Sequence, residues 1–142
     1  MHAGLSYRES AAAGASPVRL VILLYEQAIE DLRRALAAHR RADIEARTRE
    51  IDHALLVIGH LQATLDKEKG GKVAENLGRF YDQLRAGLID AQCRQSATAI
   101  EQQISQIMLV HEAWCEVEKA VAPAATSSEN ANEARSGSGW RA

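Results

Sequence analysis

The sequence predicts an all-α protein, an antiparallel up-down four-helix bundle, and two observations lead to this prediction. Hydrophobic residues make up 46% of the 142 residues but aromatic residues only 4%, which favours helices rich in Ala and Leu over β-strands. Apolar residues also recur at spacings of three and four in four successive segments, the period of an amphipathic helix. A chain of this length forms one domain with a single core.

The first helix is predicted over residues 17–40. Ser16 followed by Pro17 is a strong start signal, because a hydroxyl caps free backbone amides and the fixed φ of proline suits the first helical position. An apolar stripe that includes Ile22 and Ile29 then follows with helical spacing. This stripe is expected to face the core.

The second helix is predicted over residues 44–69, with Asp43 as its cap. It is expected to end at Gly70 and Gly71, because two successive glycines destabilise a helix and suit a reversing turn. The sequence therefore predicts a corner at this pair.

The third and fourth helices are predicted over residues 72–94 and 97–122. Either Ser96 or Thr98 provides a hydroxyl that caps the fourth helix. The fourth helix is expected to stop near Pro123, which cannot donate a backbone hydrogen bond. Because the connections are short, neighbouring helices must run antiparallel.

Both ends of the chain are predicted to lie outside the bundle, which occupies residues 16–122. Residues 1–15 form a mobile segment in which Leu5, Tyr7 and a run of alanines make a short helical cap. Residues 123–142 are rich in small and polar residues and contain few apolar anchors. Such a tail cannot offset the entropy lost on ordering, so we expect it to be disordered.

The sequence contains more large apolar residues than one inward stripe per helix requires. The predicted core consists of Ile22, Ile29, Ile51, Leu55, Phe80, Leu84, Ile104 and Ile107. At about 100° per residue, other apolar side chains fall away from the stripes, among them Leu20, Leu23, Leu56, Val57, Tyr81 and Leu109. On neighbouring helices such residues can join into a partner-binding patch, although a wide apolar face or a homodimer would also cover them.

Composition argues against several classes of function. The 17 basic and 19 acidic residues nearly cancel, and the basic residues follow no pattern typical of nucleic-acid binding. No apolar run approaches the roughly 20 residues that cross a membrane, and no secretory signal is present. The isolated Cys93 and Cys115 fit a reducing compartment. We therefore expect a cytoplasmic protein without membrane insertion.

The sequence shows no catalytic or cofactor-binding motif. A di-iron bundle needs two Glu-x-x-His motifs, and the chain has a single one, at Glu50 and His53. His53 and His60 share a helical face, but two ligands leave a metal site incomplete, so both are expected to be solvated. The prediction is a non-enzyme without metal or cofactor, with a helical metal or phosphotransfer protein as the enzymatic alternative.

One segment carries a more specific pattern. Residues 65–77 read LDKEKGGKVAENL and are followed by Phe80-Tyr81-Asp82, a combination that resembles the bacterial flagellar export chaperone family FliS. Weaker matches span residues 7–120: Tyr7, the Ala15-Ser16-Pro17 start, residues 24–28 (LYEQA) and residues 112–114 (EAW).

The resemblance implies a cytosolic bundle that binds the disordered C-terminal segment of flagellin, prevents its premature polymerisation and hands it to the flagellar type III export apparatus. It implies no catalysis. The resemblance also implies the export gate and an anti-sigma factor as further partners, and an N-terminal segment that occupies the cargo groove when cargo is absent. A homodimeric helical adaptor without flagellin cargo is the structural alternative.

Helical phase and the family motif together select the residues that we expect to contact cargo, with Tyr7 acting as an internal competitor. These residues are Tyr7, Leu20, Leu23, Leu56, Val57, Leu61, Ala74, Leu77, Tyr81 and Leu109.

Overall fold

The computed structural model describes the backbone of residues 16–136 and the side chains of residues 16–121. This part of the chain forms four helices: α1 Pro17–Arg40, α2 Ile44–Ala63, α3 Lys67–Arg94 and α4 Ala97–Ser136. The prediction of an all-α helical bundle is confirmed. The predicted N-terminal cap with Tyr7, at residues 1–15, and the end of the predicted tail, at residues 137–142, lie outside the described residues.

Contacts between helices show the antiparallel order of the bundle. The end of α1 meets the beginning of α4 through Arg40 and Glu101, whereas the beginning of α1 meets a later part of α4 through Arg19 and Glu118. Helix α2 packs against α1 and α3, and α3 closes the ring against α4. This is the up-down arrangement that short connections between helices require.

Two predicted helix starts are confirmed by their capping hydrogen bonds. The Ser16 hydroxyl accepts a hydrogen bond from the backbone N–H of Arg19 at 3.1 Å, and Pro17 occupies the first turn. The Asp43 carboxylate accepts from the backbone N–H of Ala46 at 3.0 Å. Each cap satisfies an amide that has no partner within its helix.

The predicted boundary between the second and third helices is wrong. Helix α2 ends at Ala63, and Asp66 caps α3 by accepting hydrogen bonds from the backbone N–H groups of Glu68 and Lys69, both at 3.1 Å. The glycine pair therefore lies inside α3, where Gly71 kinks the helix at φ 54° and ψ −129°. The carboxylate at Asp66 nucleates a helical turn before the glycines, so the corner comes earlier than predicted.

Helix α4 is longer than predicted. Its backbone continues through Pro123 to Ser136, where we expected a stop near residue 122 and a disordered tail. A proline removes one backbone hydrogen bond and can be accommodated as a local distortion. The alanines on both sides of Pro123 have the highest helix propensity of all residues and favour continuation.

The core lies inside the ring of helices and agrees with the predicted stripes. Leu55 and Phe80 are half-buried and pack against the core rather than within it. The other predicted core residues are buried: Ile22, Ile29, Ile51, Leu84, Ile104 and Ile107. Among the described helices, none has the length and apolar character needed to cross a membrane.

Candidate binding groove

An apolar groove of about 300 Å³ lies between α1 and α3, at the end of the bundle where α1 begins. Leu20 and Val21 on α1 line one side, and Ala74 and Leu77 on α3 line the other. The indole of Trp114 on α4 also contributes to the lining. Four of these residues are large apolar side chains that are only half-buried, so the groove presents apolar surface to a ligand.

The connection between α2 and α3, with Leu65 and Asp66, and the first turn of α3, with Gly70, form a third side of the groove. A Cβ atom added to Gly70 would lie 2.7 Å from the Cβ atom of Ala74, closer than carbon atoms tolerate. The positive φ of Gly71 strains any other residue. The glycine pair therefore lets the first turn of α3 lie close to Ala74 and gives the groove its shape.

The base of the groove is closed by Tyr81, whose hydroxyl oxygen lies 2.9 Å from that of the buried Tyr25. The two rings pack edge to face with centroids 6.2 Å apart. Burial raises the pKa of both tyrosines, so both remain uncharged. Because one hydroxyl donates a hydrogen bond to the other, the two rings are held in place at the base of the groove without a buried charge.

Apolar surface continues from the groove along α4. Val117 and Val121 follow Trp114 at spacings of three and seven, which places them on the same face of the helix. They are 43% and 62% exposed, and Val73 at the α3 side of the groove is 65% exposed. The groove is therefore one part of a longer apolar track at this end of the bundle.

The structure brings together part of the predicted cargo-contact set. Leu20, Ala74, Leu77 and Tyr81 all line the groove. The remaining described members lie elsewhere: Leu23 is half-buried, Leu56 and Leu109 are 52% and 70% exposed outside the groove, and Val57 and Leu61 are buried.

The surface placement of Val57 and Leu61 is wrong. Both side chains are in the core, with exposures of 0% and 2%. Helix α2 packs against α1 on one side and α3 on the other, so its buried face is wider than a single stripe. Residues next to the predicted stripe are buried for this reason.

Sequence reasoning missed several residues that line the groove. Val21, Leu65 and Trp114 line the groove but were not among the predicted contacts. Val21 lies near the start of α1 and Leu65 follows the end of α2, and the up-down order of the helices places both at the same end of the bundle.

A buried pair of polar side chains lies between α1 and α2, away from the groove. His53 Nδ1 and Asp31 Oδ2 are 2.5 Å apart, and both side chains are buried, so the expectation of a solvated His53 is wrong. Gln27 and Arg34 donate hydrogen bonds to the other carboxylate oxygen of Asp31. Burial raises the pKa of Asp31, and its contact with His53 partly opposes this. Among residues 16–121 no three side chains are grouped as metal ligands.

The fold and the groove define the class of this protein, a helical bundle with an open apolar groove between two helices. The family model described as flagellar protein FliS matches residues 1–121, and the chain belongs to this family.

Three relatives cover most of this chain and most of their own length. The flagellar secretion chaperone FliS of Salmonella typhimurium is 35% identical over 123 residues, which are 86% of this chain and 88% of the relative. FliSB of Pseudomonas aeruginosa, also a flagellar secretion chaperone, is 31% identical over 75% of this chain and 84% of its own. FliS of Campylobacter jejuni is 33% identical over 79% of this chain and 88% of its own.

Proposed function

We propose that this protein is a cytoplasmic chaperone that binds the C-terminal segment of flagellin, prevents its premature polymerisation and delivers it to the flagellar type III export apparatus. Membership in a family of secretion chaperones, rather than of enzymes, supports the general role. The observation that carries the specific proposal is the apolar groove between α1 and α3.

The groove has the chemistry that an amphipathic guest requires. An apolar cavity of about 150 Å³ holds one benzene molecule, so about 300 Å³ accommodates roughly two large apolar side chains. Side chains spaced by three or four residues on one helical face would enter it together. The flexible end of a filament protein exposes such faces before assembly, and the groove covers them temporarily.

A guest that is unfolded when free loses entropy on binding, so a useful affinity needs a long contact surface. We propose that the guest extends from the groove along the track of Trp114, Val117 and Val121. The exposed Leu56 and Leu109 are proposed as outlying contacts of a segment that wraps the bundle.

Calorimetric titration with a synthetic peptide of the flagellin C-terminal segment, from the same bacterium, tests this function. The expected result is one-to-one binding with a negative heat-capacity change, because apolar surface is buried. Light scattering is expected to show a heterodimer. A protein that self-associates and shows no heat with the peptide would instead be the homodimeric adaptor, and the proposed function would be wrong.

Deletion of residues 1–14 is predicted to tighten peptide binding. Pro17 and Val18 line the groove, and we propose that residues 1–14, which join the chain just before them, compete with the guest. Leu5 and Tyr7 provide apolar side chains for this competition, and removing a competitor raises the apparent affinity. The measurement is the same titration. Replacement of Leu5 and Tyr7 by Ser in the full chain removes the competing side chains without shortening the protein and is expected to tighten binding as well. Equal affinity of all three proteins would contradict the competition.

A further inference from the structure

We infer that the ion pair between Arg19 and Glu118 positions the α1 wall of the groove and thereby sets its affinity for a guest segment. The inference rests on the proposed function, because it concerns the same groove. It assigns both residues a positioning role and no direct contact with the guest.

The two side chains are joined by two hydrogen bonds. Arg19 Nε donates to Glu118 Oε2 at 2.8 Å, and Arg19 Nη2 donates to Glu118 Oε1. A planar guanidinium that binds both carboxylate oxygens fixes direction as well as distance, which a single contact does not. The pair therefore holds the start of α1 in a defined position on α4.

The location of the pair connects it to the groove. Arg19 lies between Val18 and Leu20, which both line the groove, and Glu118 is one helical turn beyond Trp114. A change in the distance between Arg19 and Glu118 consequently moves the α1 wall relative to Trp114.

Arg19 is also electrostatically misplaced with respect to its own helix. It lies in the first turn of α1, which contains no acidic residue, and a positive charge there opposes the helix dipole. Glu118 on α4 offsets this repulsion. An uncharged polar residue at position 19 would make α1 more stable. The arginine at this position is therefore explained by its ion pair with Glu118 and not by helix formation.

A second ion pair between the same two helices provides a matched control. Arg40 and Glu101 approach within 3.2 Å at the opposite end of α1, far along the bundle from the groove. Arg40 lies in the last turn of α1, where a positive charge is favourable. Arg19 and Glu118 are partly exposed and Arg40 and Glu101 are exposed, so each pair contributes little to overall stability.

The test compares Arg19→Gln and Glu118→Gln with Arg40→Gln and Glu101→Gln in the titration with the flagellin peptide. The first two variants are expected to weaken binding by about fivefold with thermal midpoints near wild type. The two control variants are expected to bind as wild type does. The charge-reversed protein with Arg19→Glu and Glu118→Arg is expected to recover most of the lost affinity.

Fluorescence of Trp114 provides a readout that needs no guest. In a Trp140→Phe background Trp114 is the single tryptophan, and Arg19→Gln is expected to shift its emission to longer wavelength while Arg40→Gln leaves it unchanged. Wild-type affinity and emission for Arg19→Gln, equal losses in the control pair, or no recovery on charge reversal would each overturn the inference. If the unmodified protein fails to bind the peptide, the proposed function is wrong, and the emission shift alone decides about the positioning role.

Discussion

Replacement of Leu77 by Glu is expected to abolish binding of the flagellin segment. Leu77 lies on the α3 side of the groove between Ala74 and Tyr81, where a guest side chain would bury it. An unpaired carboxylate loses several kcal/mol when it is moved from water into apolar surroundings, which corresponds to an affinity loss of more than about 100-fold. Calorimetric titration with the peptide measures the loss directly.

The control for this prediction is Ile89→Glu on the same helix. Ile89 is 50% exposed and does not line the groove, so the same charge there should leave binding unchanged. Thermal unfolding of both variants shows whether the fold is intact, and Val73→Glu provides a second groove variant at a position that is 65% exposed. Wild-type binding by both groove variants would show that the guest binds elsewhere.

The second large effect is a loss of stability, and it is expected at the buried pair of Asp31 on α1 and His53 on α2. His53→Leu should lower the free energy of unfolding by about 3 kcal/mol, because it leaves one oxygen of the buried Asp31 carboxylate without its imidazole. Gln27 and Arg34 still bind the other oxygen, so the protein should remain folded. Urea denaturation at neutral pH measures the change.

The sign of the pH dependence follows from the raised pKa of Asp31. A carboxyl group with a raised pKa in the folded state is buried at lowest cost when protonated, so its unfavourable contribution to stability grows as pH rises from the ordinary Asp pKa to the raised value and is constant above it. Removal of the imidazole increases this cost, and the difference between His53→Leu and wild type should shrink as pH is lowered. His60→Leu is the control, because His60 is exposed on the same helix and should change stability by less than about 0.5 kcal/mol. A penalty that is constant with pH would contradict the role of Asp31.

The sequence was sufficient to predict those parts of the fold that depend on local chemistry. Ser16 and Asp43 cap helices as expected because a hydroxyl or carboxylate in that position binds free amides in any tertiary context. The corner after α2 was misplaced because the Gly70-Gly71 pair is the strongest break signal nearby, whereas the decisive residue is the capping Asp66. The glycine pair and Asp66 each indicate a different helix boundary, and packing decides which of the two boundaries forms.

The groove was predicted only in part, because its shape depends on how helices end and diverge. Leu20, Leu77 and Tyr81 could be selected, but their gathering at one end of the bundle follows from the early start of α3 and its kink at Gly71. Periodicity carries no information about that geometry, which is why Val21, Leu65 and Trp114 were not among the predicted contacts.

Contacts between helices could not be predicted from the sequence either. The pairing of Asp31 with His53 joins residues that are 22 positions apart, and each alone looks like a solvated side chain on an amphipathic helix. Val57 was placed on the surface because one inward stripe was assumed for α2, whereas two neighbouring helices bury a wider face.

The most direct test of the central claim is site-specific photo-crosslinking in cells that produce flagellin. A photoreactive phenylalanine analogue at Val73, in the groove, should form a covalent adduct with flagellin whose mapped site lies in the flagellin C-terminal segment. The same analogue at Ile89 should form none. Adducts from both positions or from neither, with the variants folded and flagellin present, would contradict binding of cargo in the groove between α1 and α3.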